Sequence, residues 1–164
     1  MQKTRNPLIF IIEGSVVYKD LIVGYLQSKK YKNLKVYQNG EECMKDLHLK
    51  PDVIVLDYLL PNMTGLELMS KIKKNHTDVD FIFLSGQNDL EIAVQIMKIG
   101  AADYIVKNDK APQKLIKSIE GLAQNAKHDK QTKGFRVGVV GFFVLLFLFI
   151  MIIILMTFFL DLEF

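Results

Sequence analysis

The sequence predicts an α/β protein with a doubly wound, five-stranded parallel sheet, followed by one C-terminal transmembrane helix. The first observation is that five short apolar runs alternate with five segments of helical periodicity over residues 1–128. Strand and helix in strict alternation are typical of a parallel sheet with helices on both faces. The second observation is a stretch of 24 residues without any charge, residues 137–160.

The apolar runs are the predicted strands, because each is short and bounded by polar or turn-forming residues. The third run is apolar at every position and lies between Pro51 and Pro61, which predicts a strand covered on both faces. The five predicted strands are Leu8 to Ile12, Leu34 to Tyr37, Val53 to Leu56, Val79 to Leu84 and Ala102 to Val106.

The segments between the strands are predicted helices, because their apolar residues recur three and four positions apart. Three of these helices begin with a capping side chain that is followed, three residues later, by an acid. A soluble part of about 125 residues is large enough to form one domain with its own core. The capping pairs are Asn39 with Glu42, Thr64 with Glu67, and Asn88 with Glu91.

Charge divides the chain into two parts. Residues 1–136 hold all 21 Lys and Arg and 16 of the 18 acids, which gives this part a formal charge of +5. As a helix, the uncharged segment reaches about 36 Å, enough to cross a hydrocarbon core of about 30 Å. A buried core helix is the alternative, although uncharged runs of this length are uncommon in soluble domains. We therefore predict a domain at 1–128, a basic linker at 129–136, a transmembrane helix at 137–160 and a tail at 161–164.

The charges that flank the predicted span also predict its orientation. Basic residues precede it and only acids follow it, so we expect a single-pass protein of the inner membrane with its domain in the cytoplasm. One cysteine, Cys43, fits a reducing compartment. A solvated helix face explains the basic residues equally well, and nucleic-acid binding is a weaker interpretation because no aromatic residues lie among them. The flanking charges are Lys127, Lys130, Lys133 and Arg136 before the span, and Asp161 and Glu163 after it.

Polar side chains follow four of the five predicted strands. Glu13 follows the first strand and Asp57 the third, while Ser85 follows the fourth and Lys107 the fifth. Because the carboxyl ends of parallel strands meet at one edge, where ligands bind in such sheets, we expect these side chains to lie close together. Alone, Asp57 could simply cap the next turn. The three other polar groups favour a functional site.

This arrangement resembles a response regulator receiver domain, the phosphoacceptor module of two-component signalling, over about residues 6–128. In that family an acidic pair follows the first strand, and the phosphorylated Asp closes the third strand with proline four residues later. Ser or Thr closes the fourth strand and Lys the fifth. Asp57 with Pro61 and Gly65, Ser85, and Lys107 match this pattern. The resemblance implies the flavodoxin-like fold of that family.

The resemblance also implies a role for each matched residue. Asp57 would be the phosphoacceptor, Lys107 the cation beside the incoming phosphoryl group, and Ser85 a hydrogen-bond donor to it. A carboxylate is a weak nucleophile and both reactants are negative, so this chemistry needs neighbouring cations. Tyr104 matches the aromatic switch residue that moves with the strand-four hydroxyl in this family. By default, a lone tyrosine on an edge strand is a packing residue.

The metal site that the resemblance implies is altered in this sequence. Mg²⁺ would bind Glu13, Asp57 and the backbone carbonyl of Leu59. Gly14 stands where the family places the direct metal ligand, so the site loses one oxygen and should bind Mg²⁺ more weakly. A second departure is Asn108, where many receivers have proline after the lysine.

Three classes of function remain open. The first is a membrane-anchored single-domain response regulator that accepts a phosphoryl group on Asp57 from a histidine kinase or phosphotransfer protein and signals through protein contacts. The second, favoured by Gly14, is a pseudo-receiver that acts unphosphorylated as a membrane-tethered binding module. The third is a cofactor protein of flavodoxin-like topology. It is disfavoured, because residues 13–15 are too short and too acidic to cradle a phosphate.

We expect no output domain beyond the predicted linker and span, and therefore neither DNA binding nor enzymatic activity. The expected partners are a histidine kinase or phosphotransfer protein, the membrane, and a downstream protein that the sequence does not identify. A second copy of the chain is a further candidate. Gly134 and Gly138 have the spacing of a helix dimerisation motif at the membrane entry.

Overall fold

The computed structural model describes the backbone of residues 6–161, and the side chains of residues 6–125 and 141–152. Five strands alternate with five helices along the chain, as the sequence predicts. The strands are β1 (Ile9–Ile12), β2 (Leu34–Tyr37), β3 (Val53–Leu56), β4 (Asp80–Ser85) and β5 (Asp103–Val106). The helices are α1 (Val16–Ser28), α2 (Gly40–Lys45), α3 (Gly65–Lys73), α4 (Leu90–Lys98) and α5 (Ala111–Asp161), with a 3-10 turn at Leu47–Leu49.

The five strands form one parallel sheet in the order β2-β1-β3-β4-β5. The chain places β2 on one side of β1 and then adds β3, β4 and β5 in turn on the other side. This confirms the five-stranded parallel fold. The register places Ile12 opposite Leu56, so the residues that follow β1 and β3 emerge side by side at the same edge.

The sheet is buried on both faces, because apolar side chains alternate between two cores. Every residue of β1 and β3 is buried. Each fully buried side chain of this size contributes about 1.5–3 kcal/mol to folding. One core contains Phe10, Ile12, Leu56, Phe81 and Phe83 together with Leu68, Met69 and Ile72 of α3. The other contains Ile9, Ile11, Val55, Ile82 and Leu84 together with Ile22 and Leu26 of α1 and Leu115 and Ile119 of α5.

Cys43, the one cysteine of the chain, is fully buried in the first core. Burial raises the pKa of its thiol to about 12, and the negative charge of Asp46 acts in the same direction. The thiolate is the reactive form of cysteine, so this side chain is chemically inert in the folded protein.

The strand bounds differ from the predicted ones by one residue at the start of β1 and β5 and by one residue at each end of β4. β1 begins at Ile9 because the Leu8 N–H donates to a side-chain oxygen of Asp52, at 2.9 Å, instead of entering the sheet. β4 extends to Ser85, whose backbone carbonyl accepts from the Lys107 N–H at 2.8 Å. The polar group that was expected after β4 therefore belongs to its last residue.

Two of the three predicted helix caps are confirmed. Thr64 forms a capping box with Glu67 at the start of α3, and the Asn39 side chain accepts from the Glu42 N–H at the start of α2. The prediction of Asn88 for α4 is wrong. Asp89 is the cap, since its carboxylate accepts from two N–H groups of the first turn. Both residue types are favourable at this position, and spacing alone did not separate them.

The chain divides into two compact units, Met1–Leu122 and Ala123–Phe164. The predicted transmembrane helix at Val137 to Leu160 is not supported. Within the residues described above, no helix is both long and apolar enough to cross a membrane. The side chains of residues 137–140 and 153–160 lie outside the described residues, as do those of the predicted linker at 129–136 and the predicted tail at 161–164. The predicted boundaries between these segments stay predictions.

Candidate functional site

The ends of β1, β3 and β5 bring two carboxylates and one ammonium group together. Asp57 is fixed next to β1 by its own N–H, which donates to the carbonyl of Ile12 at 3.0 Å. Lys107 Nζ lies 2.7 Å from Oε2 of Glu13 and 2.5 Å from Oδ2 of Asp57. One cation thus bridges two anions. We call Glu13, Asp57 and Lys107 the acidic cluster.

The acidic cluster is largely removed from water. Glu13 is 4% exposed and Asp57 is 9% exposed. Burial raises the pKa of Glu13 and the negative charge of Asp57 adds to this effect, whereas hydrogen bonds from Lys107 and from the Ser15 N–H lower it. Two carboxylates and one ammonium leave a net charge of −1 when all three are ionised. This edge of the sheet therefore attracts a further cation.

The loop after β3 folds tightly against the backbone of Asp57. The N–H of Leu59 donates to Oδ1 of Asp57 at 3.3 Å, and the Gly65 N–H donates to the carbonyl of Tyr58 at 2.7 Å. A Cβ atom on Gly65 would clash with the carbonyl oxygen of Asp57 and press on the ring of Phe83. Glycine is therefore required at position 65, and its match to the family pattern has a steric reason.

Ser85 and Tyr104 are connected through the backbone of one residue. Ser85 is fully buried, and its Oγ accepts from the N–H of Gln87 at 3.1 Å. The hydroxyl of Tyr104 donates to the carbonyl of the same residue at 2.7 Å. The Tyr104 ring stacks on Phe83, with centroids 6.4 Å apart. We call Ser85, Gln87 and Tyr104 the β4 link.

Two members of this site were not predicted from the sequence. Gln87 takes part only through its backbone N–H and carbonyl, so its residue type carries no signal. The second is Tyr18 in the first turn of α1, the centre of whose ring lies 4.7 Å from Lys107 Nζ. Its position was a signal that could have been used. Residues in the first turn of a helix that directly follows β1 must lie near the end of that strand.

The residues at this edge of the sheet supply only some of the oxygen ligands that a hard divalent cation requires. Glu13 and Asp57 offer carboxylate oxygens, and the Leu59 backbone follows at the same edge, which suits Mg²⁺ with waters completing its shell. Within the described residues, no group of three or more His, Cys, Asp or Glu side chains could hold a metal. Gly14 adds no ligand. A Cβ there would meet only Pro61, at 3.7 Å, so the position of the missing side chain is open.

Comparison with known protein families now identifies the domain. Residues 9–120 match the family model described as the response regulator receiver domain. The chain belongs to this family. It is therefore a receiver domain of two-component response regulators, as the strand-end residues predict.

Relatives of known sequence are regulatory proteins. The luminescence regulatory protein LuxO of Vibrio campbellii is 34% identical over 76 residues, which are 46% of this chain and 17% of that protein. YesN of Bacillus subtilis, an uncharacterised transcriptional regulatory protein, is 36% identical over 100 residues, 58% of this chain and 27% of its own length. The chain thus spans about a sixth to a quarter of the length of these relatives.

Solved structures confirm the fold. The receiver domain of a LuxO repressor protein from Vibrio parahaemolyticus has a TM-score of 0.69 at 22% identity, covering 77% of this chain and 96% of that one. NtrX from Brucella abortus has a TM-score of 0.67 at 26% identity, covering 76% and 28%. TrrA from Thermotoga maritima, solved with Mg²⁺ and beryllium fluoride, has a TM-score of 0.62 at 24% identity, covering 70% and 96%.

Proposed function

We propose that this receiver domain accepts a phosphoryl group on Asp57 from a histidine kinase or a phosphotransfer protein. The observation that carries this proposal is the contact of 2.5 Å between Asp57 Oδ2 and Lys107 Nζ, at the end of β3. A buried carboxylate beside a fixed ammonium has the charge environment that phosphoryl transfer requires.

The transfer needs no redox partner. A carboxylate oxygen of Asp57 attacks phosphorus, and the bond from phosphorus to the donor nitrogen breaks with its electron pair leaving on that nitrogen. Lys107 faces the negative charge that develops on the phosphoryl oxygens. The Ser85 hydroxyl proton remains available for the product, because in this structure its oxygen acts as an acceptor.

Mg²⁺ would be held by the carboxylates of Glu13 and Asp57 and by the carbonyl of Leu59. When bound, it supplies the remaining neutralisation of charge between nucleophile and phosphoryl group. The carboxylate of Glu13 is already oriented, because its Oε1 accepts from the Ser15 N–H at 2.9 Å. Gly14 makes this a weak metal site, since one oxygen ligand of the family pattern is missing.

The β4 link supplies a path from the site to the surface. A phosphoryl oxygen that accepts a hydrogen bond from the Ser85 hydroxyl would change the bond between Ser85 Oγ and the Gln87 N–H. The Tyr104 hydroxyl donates to the carbonyl of that same residue. The output is then a change in surface contacts with a downstream protein, not an enzymatic reaction. DNA regulation is implied by the names of longer relatives, of which this chain matches only a part.

We also propose that the C-terminal segment anchors the receiver at the inner membrane, with the domain in the cytoplasm. Residues 137–160 contain no charged side chain. Within the described part of this segment, apolar side chains are exposed all round the helix, including Phe142, Phe147 and Phe149 at 63%, 66% and 62%. A helix that is apolar on every side favours a non-aqueous environment.

The anchoring proposal is tested by fractionating cells that express the full chain. We expect it in the membrane fraction after a carbonate wash, with the domain digested by protease in inverted vesicles and spared in intact cells. Release by carbonate, or digestion from outside intact cells, would refute it.

The phosphorylation proposal is tested by mass spectrometry of the full chain after incubation with acetyl phosphate and Mg²⁺. We expect the mass of one phosphoryl group on the parent protein and none on the Asp57→Asn variant. Absence of uptake by the parent would support the second candidate, the unphosphorylated binding module, which the missing ligand at Gly14 favours. Uptake by Asp57→Asn at the parental rate would show that another residue is the acceptor.

A further inference from the structure

Tyr18 contacts the acidic cluster from α1. The centre of its ring lies 4.7 Å from Lys107 Nζ, within the range of a cation–π interaction. The Lys107 side chain is only 16% exposed, so the attraction is weakly screened by water. The Tyr18 N–H donates to Oγ of Ser15, the N-cap of α1, at 3.4 Å. The N-cap therefore fixes the backbone of Tyr18 close to the end of β1.

The hydroxyl of Tyr18 is unusual among the described side chains. Its oxygen is buried and has no hydrogen-bond partner there. Burial raises the pKa of Tyr18, and the negative charges of Glu13 and Asp57 act in the same direction. The phenol therefore stays protonated and keeps a donor near the acidic cluster. A buried donor without a partner is costly in free energy, and a functional site is one setting in which that cost is retained.

We propose that Tyr18 is a positioning residue of the receiver site: its ring holds the Lys107 ammonium against Glu13 and Asp57, and its hydroxyl finds an acceptor on the phosphoryl group of modified Asp57. The second half of this proposal rests on the proposed function. The first half does not, because the contact with Lys107 is present without any phosphoryl group.

A simple packing role makes a different prediction. Tyr18 also packs against the core that contains Ile11 and Ile22. If packing were its whole role, Tyr18→Leu would change stability but leave Lys107 in place. Two substitutions therefore separate the roles. Tyr18→Phe keeps the ring and removes the hydroxyl, whereas Tyr18→Leu removes both.

The ring is tested in the unmodified full-length chain in detergent micelles. An ammonium-bearing side chain above an aromatic face experiences a ring current, so the NMR signals of the Lys107 Hε protons should lie upfield. We expect this shift in the parent and in Tyr18→Phe. Tyr18→Leu removes the ring current itself, so in this variant Lys107 is followed by hydrogen exchange of its ammonium protons with water. That exchange should be several times faster than in the parent, because the ammonium is no longer held against Glu13 and Asp57. Tyr25→Leu is the matched control, because it removes a second tyrosine from α1 whose ring is 5.7 Å from Lys29 Nζ. Exchange of the Lys107 ammonium protons at the parental rate in Tyr18→Leu would overturn the proposal, because packing alone would then explain the residue.

The hydroxyl is tested by phosphorylation with acetyl phosphate and Mg²⁺, followed by decay of the aspartyl phosphate. Loss of one weak attraction predicts that Tyr18→Leu is phosphorylated roughly fivefold more slowly. Tyr18→Phe should be phosphorylated at nearly the parental rate, but its phosphoryl group should be lost several times faster. Equal rates and lifetimes in all three proteins would refute this half. No uptake by the parent would instead refute the proposed function, while the NMR test would still decide the role of the ring.

Discussion

The two halves of the strand-end edge are held together by different forces. In the acidic cluster, Lys107 makes two short ionic contacts with buried carboxylates. In the β4 link, Ser85 and Tyr104 are joined only by neutral hydrogen bonds to the backbone of one residue. Neutral hydrogen bonds contribute about 1 kcal/mol each, whereas breaking a buried ion pair costs several.

Their surroundings differ as well. The two carboxylates of the acidic cluster follow β1 and β3, whose residues are all buried, while Tyr104 borders an open groove of about 560 Å³. Leu90, Val94 and Met97 of α4 line this groove, and their exposed fractions are 78%, 43% and 45%. The acidic cluster, which is proposed to carry the chemistry, is therefore held rigidly. The β4 link, which is proposed to carry the signal, can rearrange at a lower cost in free energy.

The largest expected effect is on the acceptor itself. Asp57→Asn should abolish phosphoryl uptake completely, because an amide oxygen carries no negative charge for attack on phosphorus. Intact-mass measurement checks this. Ser85→Ala is the matched control in the β4 link and should still become phosphorylated, at a reduced rate. Equal phosphoryl uptake by both variants would show that the acidic cluster and the β4 link do not differ in their roles in phosphoryl transfer.

A large loss of stability is expected from Lys107→Ala, because it leaves Glu13 and Asp57 buried next to each other without a counter-ion. We expect a loss of about 3 kcal/mol in the free energy of unfolding, measured with urea near neutral pH. Lys110→Ala, at an exposed position of the following loop, is the control and should change it by less than about 0.5 kcal/mol. Adding Glu13→Gln to Lys107→Ala should restore part of the loss. Equal stability of the two single variants would contradict an ionic origin of the rigidity.

A smaller effect, a gain of Mg²⁺ affinity and not a loss of stability, is expected at Gly14, next to Glu13 of the acidic cluster. Gly14→Asp should tighten Mg²⁺ binding by roughly tenfold, because it supplies an oxygen ligand to a hard cation. The structure has room for the new side chain, whose Cβ would lie 3.7 Å from Pro61. Titration followed by amide NMR signals measures the affinity. Gly14→Ala adds the same Cβ without a carboxylate and should leave the affinity unchanged. Equal behaviour of the two variants would show that Glu13 already completes the site.

The smallest effect is expected in the β4 link. Tyr104→Phe removes one neutral hydrogen bond and should lower the free energy of unfolding by about 1 kcal/mol. The rate of phosphoryl uptake should stay at the parental value, because Tyr104 makes no described contact with the acidic cluster. The amide signal of Gln87 should respond to beryllium fluoride differently from the parent. Tyr25→Phe in α1 serves as the control. A slowed uptake in Tyr104→Phe would show that the two halves are not separable.

The sheet and the acidic cluster could be predicted from the sequence because they depend on strand order. Apolar runs mark the strands, and parallel pairing brings Glu13, Asp57 and Lys107 to one edge whatever their side-chain conformations. Contacts that depend on the path of a helix or loop could not be predicted in the same way. Tyr18 reaches the site through the start of α1, and Gln87 takes part only through its backbone.

The helix caps and the C-terminal segment show two further limits of prediction from the sequence. Asn88 and Asp89 are both good capping residues, and the geometry of the loop after β4 decided between them. The uncharged segment at 137–160 carries a compositional argument for a membrane span that the described residues do not support. Composition gives the environment that a helix favours, whereas spanning depends on the whole length of the segment.

The buried thiol of Cys43 has a practical consequence. Because it is the one cysteine of the chain and its pKa is raised to about 12, the folded surface offers no native site for thiol reagents. A cysteine introduced at an exposed position, such as Val94→Cys beside the groove of α4, would be the only residue to take up a maleimide dye or spin label. The wild-type background is thus already suited to distance measurements between the receiver and whatever it binds, without first removing a residue from its core.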